Sequence, residues 1–454
     1  MTPIPQTSNS REAAYLALLA SLREERFITD TLELWQQQKR PSALDFRFAQ
    51  QIAYGAAQMV LSLDYLAQQL SDKKTLSLKQ KERALVRLAL YQFYYLDRVP
   101  LYAIADEMLK IARKYCHRLF VNYLNALMRK LSVSPPALPT GDSPQDLSVH
   151  YSYPVWYVQE LIANYGLEKA KAIMVAGNTP APTMARLRPT LNDDEAQELH
   201  KLGLGGADTL LTSSPCSVAV IKDPGTILNL TFSSRVYIQN VTPAILIATL
   251  AAKLKKSKNS PKRILDMCAS PGGKLVAIHD AFPKAKLYAN DVSEEKLKRV
   301  EENCQKYGIA AELSCSKGEG YASKQRFDLI ILDVPCSNSG VLNKRPEARW
   351  RLSKEAFAEL KKTQMALIGH AKTLLAPDGV IWYMTCSILK KENEELVDEA
   401  CTRFGLQVQV RGAEDGDGDG EGNEEGERDG CGQLMFLPNA EGWDGGYACV
   451  LGCS

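Results

Sequence analysis

From Val241 to Leu451 short apolar runs alternate with amphipathic stretches. A chain with that rhythm has few choices, and it points to a doubly wound sheet of mainly parallel strands with helices on both faces. Strands are predicted at Arg263–Met267, Lys286–Asn290, Phe327–Leu332 and Val380–Met384. Helices are predicted over Lys274–Ala281, Glu294–Tyr307, Glu355–Leu375 and Glu392–Phe404. A hairpin over Gln433–Leu437 and Gly446–Leu451 ends the series. In such sheets the carboxyl ends of the strands open on a shared crevice, so chemistry is expected in the loops that follow them.

A chain of 454 residues allows two or three domains. The front is predicted all-α: Arg11–Arg26, Ala43–Leu70, Lys79–Asp97, Ile104–Lys114 and Leu119–Leu131 carry apolar residues at helical spacing. Four prolines mark a linker, two short helices follow at Tyr153–Gly166 and Leu167–Asn178, and Pro182–Asp223 mixes β-like runs with one helix, Asp193–Lys201. The expected order is a helical bundle over 1–132, a linker over 133–148, a small α+β subdomain over 149–240 and the α/β domain over 241–454.

The net charge of +2 conceals an acidic, Gly-rich run at 411–432 with nine acids against two arginines, so the rest of the chain stands at +9. That balance suits a polyanionic partner. By composition the run buries too little apolar area to order, and a disordered insertion is expected there. Met1–Arg11 has no leader pattern, no stretch reaches the roughly 18 apolar residues of a membrane span, and no two cysteines form a Cys-x-x-Cys pair. Neither a metal site nor membrane insertion is expected; reduced thiols and a cytoplasmic location are.

Ile264–Lys274 reads as a strand running into a Gly-rich turn, Cys268-Ala269-Ser270-Pro271-Gly272-Gly273-Lys274, that opens a helix. Glycine admits close backbone approach, and a helix N-terminus offers free N–H groups to a carboxylate. Asp291, eighteen residues past Gly273 at the end of the next strand, is placed to accept from two ribose hydroxyls. Turn and acid together read as an S-adenosylmethionine site; a plain strand–helix turn with an exposed acid is the alternative. Glu319 is a candidate for the adenine amino group, or else an ordinary loop acid. Asp333 closes the apolar run Phe327–Leu332, where a carboxyl is costly unless it has work to do. A nucleobase edge is its candidate partner, with Lys274 as counter-charge.

Pro335-Cys336 and Thr385-Cys386 each follow a predicted strand end. Two thiols delivered to one crevice point to covalent catalysis, with attack and release as separate jobs. Cys116, Cys216, Cys304, Cys315, Cys401, Cys449 and Cys453 are expected to pack as small hydrophobes. Lys344, Arg345, Arg349 and Arg351, with Trp350 for stacking, are the better of two basic clusters for phosphate contacts.

These segments resemble the RNA cytosine-5 methyltransferase family (the Nol1/Nop2/Sun group). Asp266–Lys274 is similar to the family's first motif apart from Ser270, Asp333–Gly340 to its fourth, and Thr385-Cys386-Ser387 with Glu392-Asn393 to its sixth. Leu88–Gln92 and Arg98-Val99-Pro100 are similar to the NusB-type RNA-binding domain. The resemblance implies a NusB-like bundle joined to a Rossmann-like class I methyltransferase domain. It implies S-adenosylmethionine on Cys268–Lys274, Asp291, Glu319 and Asp333. Cys386 is then the nucleophile toward cytosine C6, Cys336 assists release, and Asp333 and Lys274 complete the catalytic set. RNA is the implied partner, 16S rRNA ahead of tRNA, and an RNA-binding assembly factor without activity is the rival. Three departures stand out: Glu319 and Asn240 each replace an Asp, and Gly445-Gly446 replaces an aromatic pair.

Overall fold

The computed structural model describes residues 3–23, 26–71, 77–189, 210–212, 216–221, 233–256, 260–346, 348–351, 353–409, 426–428 and 432–453. The expected helix Asp193–Lys201 and residues 411–425 and 429–431 of the acidic run lie outside them. The chain forms two compact units, one of residues 1–178 with 345–351, the other of residues 179–344 with 352–454.

The first unit contains helices Ser10–Leu22, Ile28–Lys39, Ala43–Gln58, Val60–Leu70, Gln80–Tyr95, Leu101–Tyr115 and Arg118–Val133. Its central helix starts where the Asn9 side chain accepts from the amides of Arg11 and Glu12, satisfying two of the free donors that every helix start leaves. The run Ala13–Ala20 is buried on every face. Periodicity in the sequence marks one apolar face there; alanines on the other faces let neighbouring helices close around it. The stretch expected as one helix over Ala43–Leu70 is two, because Met59 leaves helical geometry (φ −93°, ψ 32°). Helices Pro144–Tyr151, Val155–Tyr165 and Leu167–Ala176 fall in this unit rather than with the sheet that follows.

The segment Ala348–Arg351 also belongs to the first unit, and its packing corrects the phosphate-contact expectation for Arg349 and Trp350. Arg349 is buried, 3.9 Å from the centre of the Tyr153 ring, and donates to Ser152 O and Asn178 Oδ1, each at 3.0 Å. Trp350 Nε1 donates to Ala57 O at 2.6 Å. A guanidinium and an indole committed to interior partners have little left for a nucleic acid.

In the second unit β1 (Met184–Leu187), β2 (Leu210–Thr212), β3 (Val218–Val220) and β4 (Val236–Ile238) form an antiparallel sheet in the order β2-β3-β1-β4. The larger sheet comprises β5 (Arg263–Asp266), β6 (Lys286–Asp291), β7 (Ala311–Cys315), β8 (Phe327–Asp333), β9 (Leu375–Thr385), β10 (Leu406–Val408), β11 (Gly426–Arg428), β12 (Gln433–Phe436) and β13 (Gly446–Cys453). Its order is β11-β12-β13-β9-β8-β5-β6-β7, with β10 also on β13. Strands β5 to β9 are parallel to their neighbours, and β13 runs antiparallel to β9. The sheet is therefore mixed, with a parallel centre whose strands are buried on both faces (Leu329–Leu332, Val380–Met384). Gly426–Arg428, inside the acidic run expected to be disordered, pairs with β12. Strand order reverses between β5 and β8, so the crevice of a doubly wound sheet opens above those two strands.

Candidate active site

Asp266, the Gly-rich turn, Asp291, Asp333 and the two thiols lie at the carboxyl ends of β5, β6, β8 and β9. Asp266 ends β5, fully enclosed, and neither of its carboxylate oxygens has a hydrogen-bond partner. Burial, reinforced by the nearby Asp333 and opposed by Lys274, pushes its carboxyl up to about 7. The turn then runs Cys268–Gly273. Gly272 sits in the left-handed region (φ 104°), which strains any other L-residue, and the helix Gly273–Ala281 starts with no side-chain cap.

Asp291 at the end of β6 accepts from the Ser270 amide (3.1 Å) and the Ser293 amide (3.3 Å), so the acid and the Gly-rich turn are one construction. Ser293 caps the following helix, Glu294–Tyr307, which Gly308 closes in the left-handed region. Glu319 lies exposed on a single 3-10 turn, Gly318–Gly320, after β7. Burial chiefly, and then Asp266, Asp333, Asp291 and Glu319 in turn, push the Cys268 thiol well above its ordinary range. Four acids thus act on one thiol, three from strand ends and one from the turn after β7.

Lys274 pairs with Asp333, at the end of β8. Burial would lower the Lys274 ammonium, but Asp333, with smaller help from Cys386 and Asp266, outweighs it and holds the group above its usual value. The two thiols follow β8 and β9 and meet: Cys336 Sγ lies 3.1 Å from Cys386 Sγ. The Cys386 thiol donates to Asn338 Oδ1 at 3.3 Å, from a residue in the left-handed region (φ 58°). Cys336 is buried, and its thiol is raised by the contact with Cys386, by desolvation and by the Glu392 carboxylate.

Sequence reasoning missed the scaffold beneath the thiols. Glu392, fully enclosed, accepts from Ser337 N (2.9 Å), Ser387 Oγ (2.6 Å) and Gln364 Nε2 (3.1 Å). Asn393 accepts from Thr385 Oγ1 (2.7 Å) and donates to Ser387 O (3.0 Å). Glu392-Asn393 and Asn338 are visible in the sequence as part of the family pattern, but nothing local marks Gln364.

Two departures acquire explanations. Asn240 donates to Gly442 O (2.9 Å) and accepts from the Asp444 amide (2.9 Å), a two-way clip that an aspartate, lacking a donor, would not make. A Cβ on Gly445 would stand 2.4 Å from Ile388 Cγ2 and 2.8 Å from Gly340 Cα, so the backbone approach there excludes an aromatic. Of the cysteines expected to pack, Cys304 and Cys449 are buried, whereas Cys315 and Cys453 are exposed. Lys344 is paired with Asp444 at 2.7 Å. Among the described residues no His, Cys, Asp and Glu cluster is fit to hold a metal, and no helix is long and apolar enough to cross a membrane.

The residues present suit S-adenosylmethionine. A buried carboxylate without a partner (Asp266) and an uncapped helix start offer opposite charges to an amino-acid end. Asp291 sits at the next strand end, where a ribose belongs, with Glu319 beyond it.

Comparison with known proteins gives a consistent picture. Residues 252–452 match the 16S rRNA methyltransferase RsmB/F family and residues 8–132 the NusB family. The chain is 27% identical over 458 residues to the ribosomal RNA small subunit methyltransferase B of Vibrio cholerae, covering 98% of this chain and 97% of that protein. It is 26% identical over 359 residues to a probable ribosomal RNA small subunit methyltransferase B of Bacillus subtilis, covering 76% and 78%. Among solved structures, that of PH0851 superposes with a TM-score of 0.76 at 19% identity, covering 98% of this chain and 99% of that one. NSun6 from Pyrococcus horikoshii with SFG gives a TM-score of 0.50 at 18% identity, covering 69% and 98%. At such identities these structures speak for the fold alone.

Proposed function

Starting from a chain whose residues 252–452 form an RsmB/F methyltransferase domain and whose residues 8–132 form a NusB-family domain, we propose that it methylates cytosine C5 in 16S rRNA. The methyl donor is S-adenosylmethionine, which supplies an electrophilic methyl group on a sulfonium. Asp266 and the Gly272–Lys274 helix start hold its amino-acid end, Asp291 its ribose and Glu319 its adenine.

Cytosine C5 is too weak a nucleophile to take that methyl unaided. Cys386 thiolate adds to C6, forming the S–C6 bond and driving the C5=C6 electron pair onto C5, which then bonds the methyl as the methyl's bond to the donor sulfur breaks, its pair staying on sulfur to leave a neutral thioether. Cys336, or a water it orders, removes the C5 proton; the electron pair restores C5=C6 and the S–C6 bond breaks. Asp333 hydrogen-bonds the base edge. Lys274, paired with Asp333 and within electrostatic reach of Cys386, supplies the positive charge near the nucleophile. Both faces of the ring are needed, so the cytosine is unpaired or flipped out.

The observation that carries this reading is the thiol pair, 3.1 Å apart at adjacent strand ends beside the Lys274–Asp333 pair. Bisulfite sequencing of rRNA and tRNA from cells lacking the protein tests it. One unprotected cytosine in 16S rRNA is the expected result; a lost mark in tRNA would reassign the substrate. A wild-type protein that binds RNA yet methylates none would support the assembly-factor rival.

A further inference from the structure

Glu392 stands at the foot of both thiol loops, 0% exposed, with three neutral donors and no ion pair to any described residue. A carboxylate that deep is destabilising unless its bonds do something an apolar side chain would not. Its bonds are specific: Oε1 accepts from the amide of the residue after Cys336, and Oε2 from the hydroxyl of the residue after Cys386. Gln364 Nε2 adds a strut, shared between Glu392 Oε1 (3.1 Å) and Pro335 O (2.9 Å). Ser387 Oγ also meets Ser337 Oγ (3.1 Å) and Ser339 Oγ (2.9 Å). The two loops are 50 residues apart in sequence, and Glu392 bonds directly to both Ser337 and Ser387 through its two oxygens.

Resting on the reading above, we propose that Glu392 is a positioning residue that clamps the Cys336 and Cys386 loops together, holding the thiols at the separation needed for one to attack and the other to assist release. It touches neither the substrate nor the reacting atoms.

The clamp is testable without RNA. Phenylarsine oxide bridges two close thiols: two As–S bonds form, and the arsenical oxygen leaves as water with both thiol protons. Titration of the full-length protein, with Cys336→Ala to identify the pair, reads thiol separation directly. For a displacement near 1 Å, Glu392→Ala is expected to weaken arsenical binding and lower kcat, the latter by about 10²-fold, with both KM values little changed. Glu392→Gln still accepts from the Ser337 amide and is expected to recover most of both losses. Thermal melting monitors folding; if Glu392→Ala does not fold, Ser387→Ala removes one strut and should show the same losses at smaller size. A folded Glu392→Ala with wild-type arsenical affinity overturns the proposal, as does a Gln variant as impaired as Ala. Chelation that depends on Glu392 in a protein that methylates nothing keeps the clamp and sinks the activity reading; methylation with Glu392-independent chelation does the reverse.

Discussion

On the β5–β6 side of the crevice Asp266 has no partner, the helix start is uncapped and Glu319 is exposed. On the β8–β9 side Ser337, Ser339, Thr385, Ser387, Glu392 and Asn393 are buried and bonded to one another. The two sides share a sheet edge but meet different demands. A side that admits and releases a diffusible ligand keeps polar groups unsatisfied until the ligand completes them, at a cost in stability. A side that forms a bond to carbon must hold its nucleophile before the substrate arrives, and a satisfied network does that.

The sharpest way to break this contrast lies on the side proposed to form the covalent bond. Cys386→Ala should take methyl transfer below detection while RNA and cofactor still bind, and form no covalent RNA adduct. Cys336→Ala should still attack and methylate but stall, leaving an adduct that survives denaturing electrophoresis. An adduct trapped by Cys386→Ala instead would exchange the roles of the thiols.

Next in size is the cost of the unsatisfied side. The Asp266 carboxyl is raised in the folded protein to about 7 from about 4. Its contribution to stability is therefore complete below about pH 4 and is lost as pH rises through about 7. At about 1.4 kcal/mol per pH unit the loss is bounded near 4 kcal/mol. Asp266→Asn should flatten the fall in melting temperature of the ligand-free protein between pH 4 and pH 8. Parallel melting curves for the variant and wild type would show that the carboxylate is not strained.

Asp291→Ala removes the proposed ribose acceptor and frees the Ser270 amide. A loss of about 1.5–3 kcal/mol, roughly ten- to hundred-fold in S-adenosylmethionine affinity, is expected by calorimetry. Unchanged affinity in a folded variant would remove Asp291 from the cofactor site. The smallest effect should come from deleting residues 411–425, a cut that spares the β11–β12 pairing. Loop-closure entropy varies slowly with length, so melting temperature and turnover should barely move. A large loss of turnover would give the acidic run a part in substrate choice.

The sequence by itself determined whatever depends on neighbours in the chain. The apolar run Phe327–Leu332, buried on both faces, had to be a strand, and Gly272, at φ 104°, had to be a glycine or be strained. The Pro-Cys and Thr-Cys loops were legible for the same reason: each is fixed by the strand that delivers it. Only the tertiary structure decided what depends on strand order and burial. Asp333 pairs with a lysine 59 residues away because β8 lies next to β5, and reversal of strand order between them sets Asp266 in the same crevice. Arg349 and Trp350, read from composition as nucleic-acid contacts, turn inward to Tyr153 and Ala57. Glu392 looks like an ordinary helix-start acid until the folded chain closes both thiol loops over it. Periodicity and backbone conformation are local properties written in contiguous residues, whereas desolvation and charge pairing are set by which distant residues the fold brings to the same place.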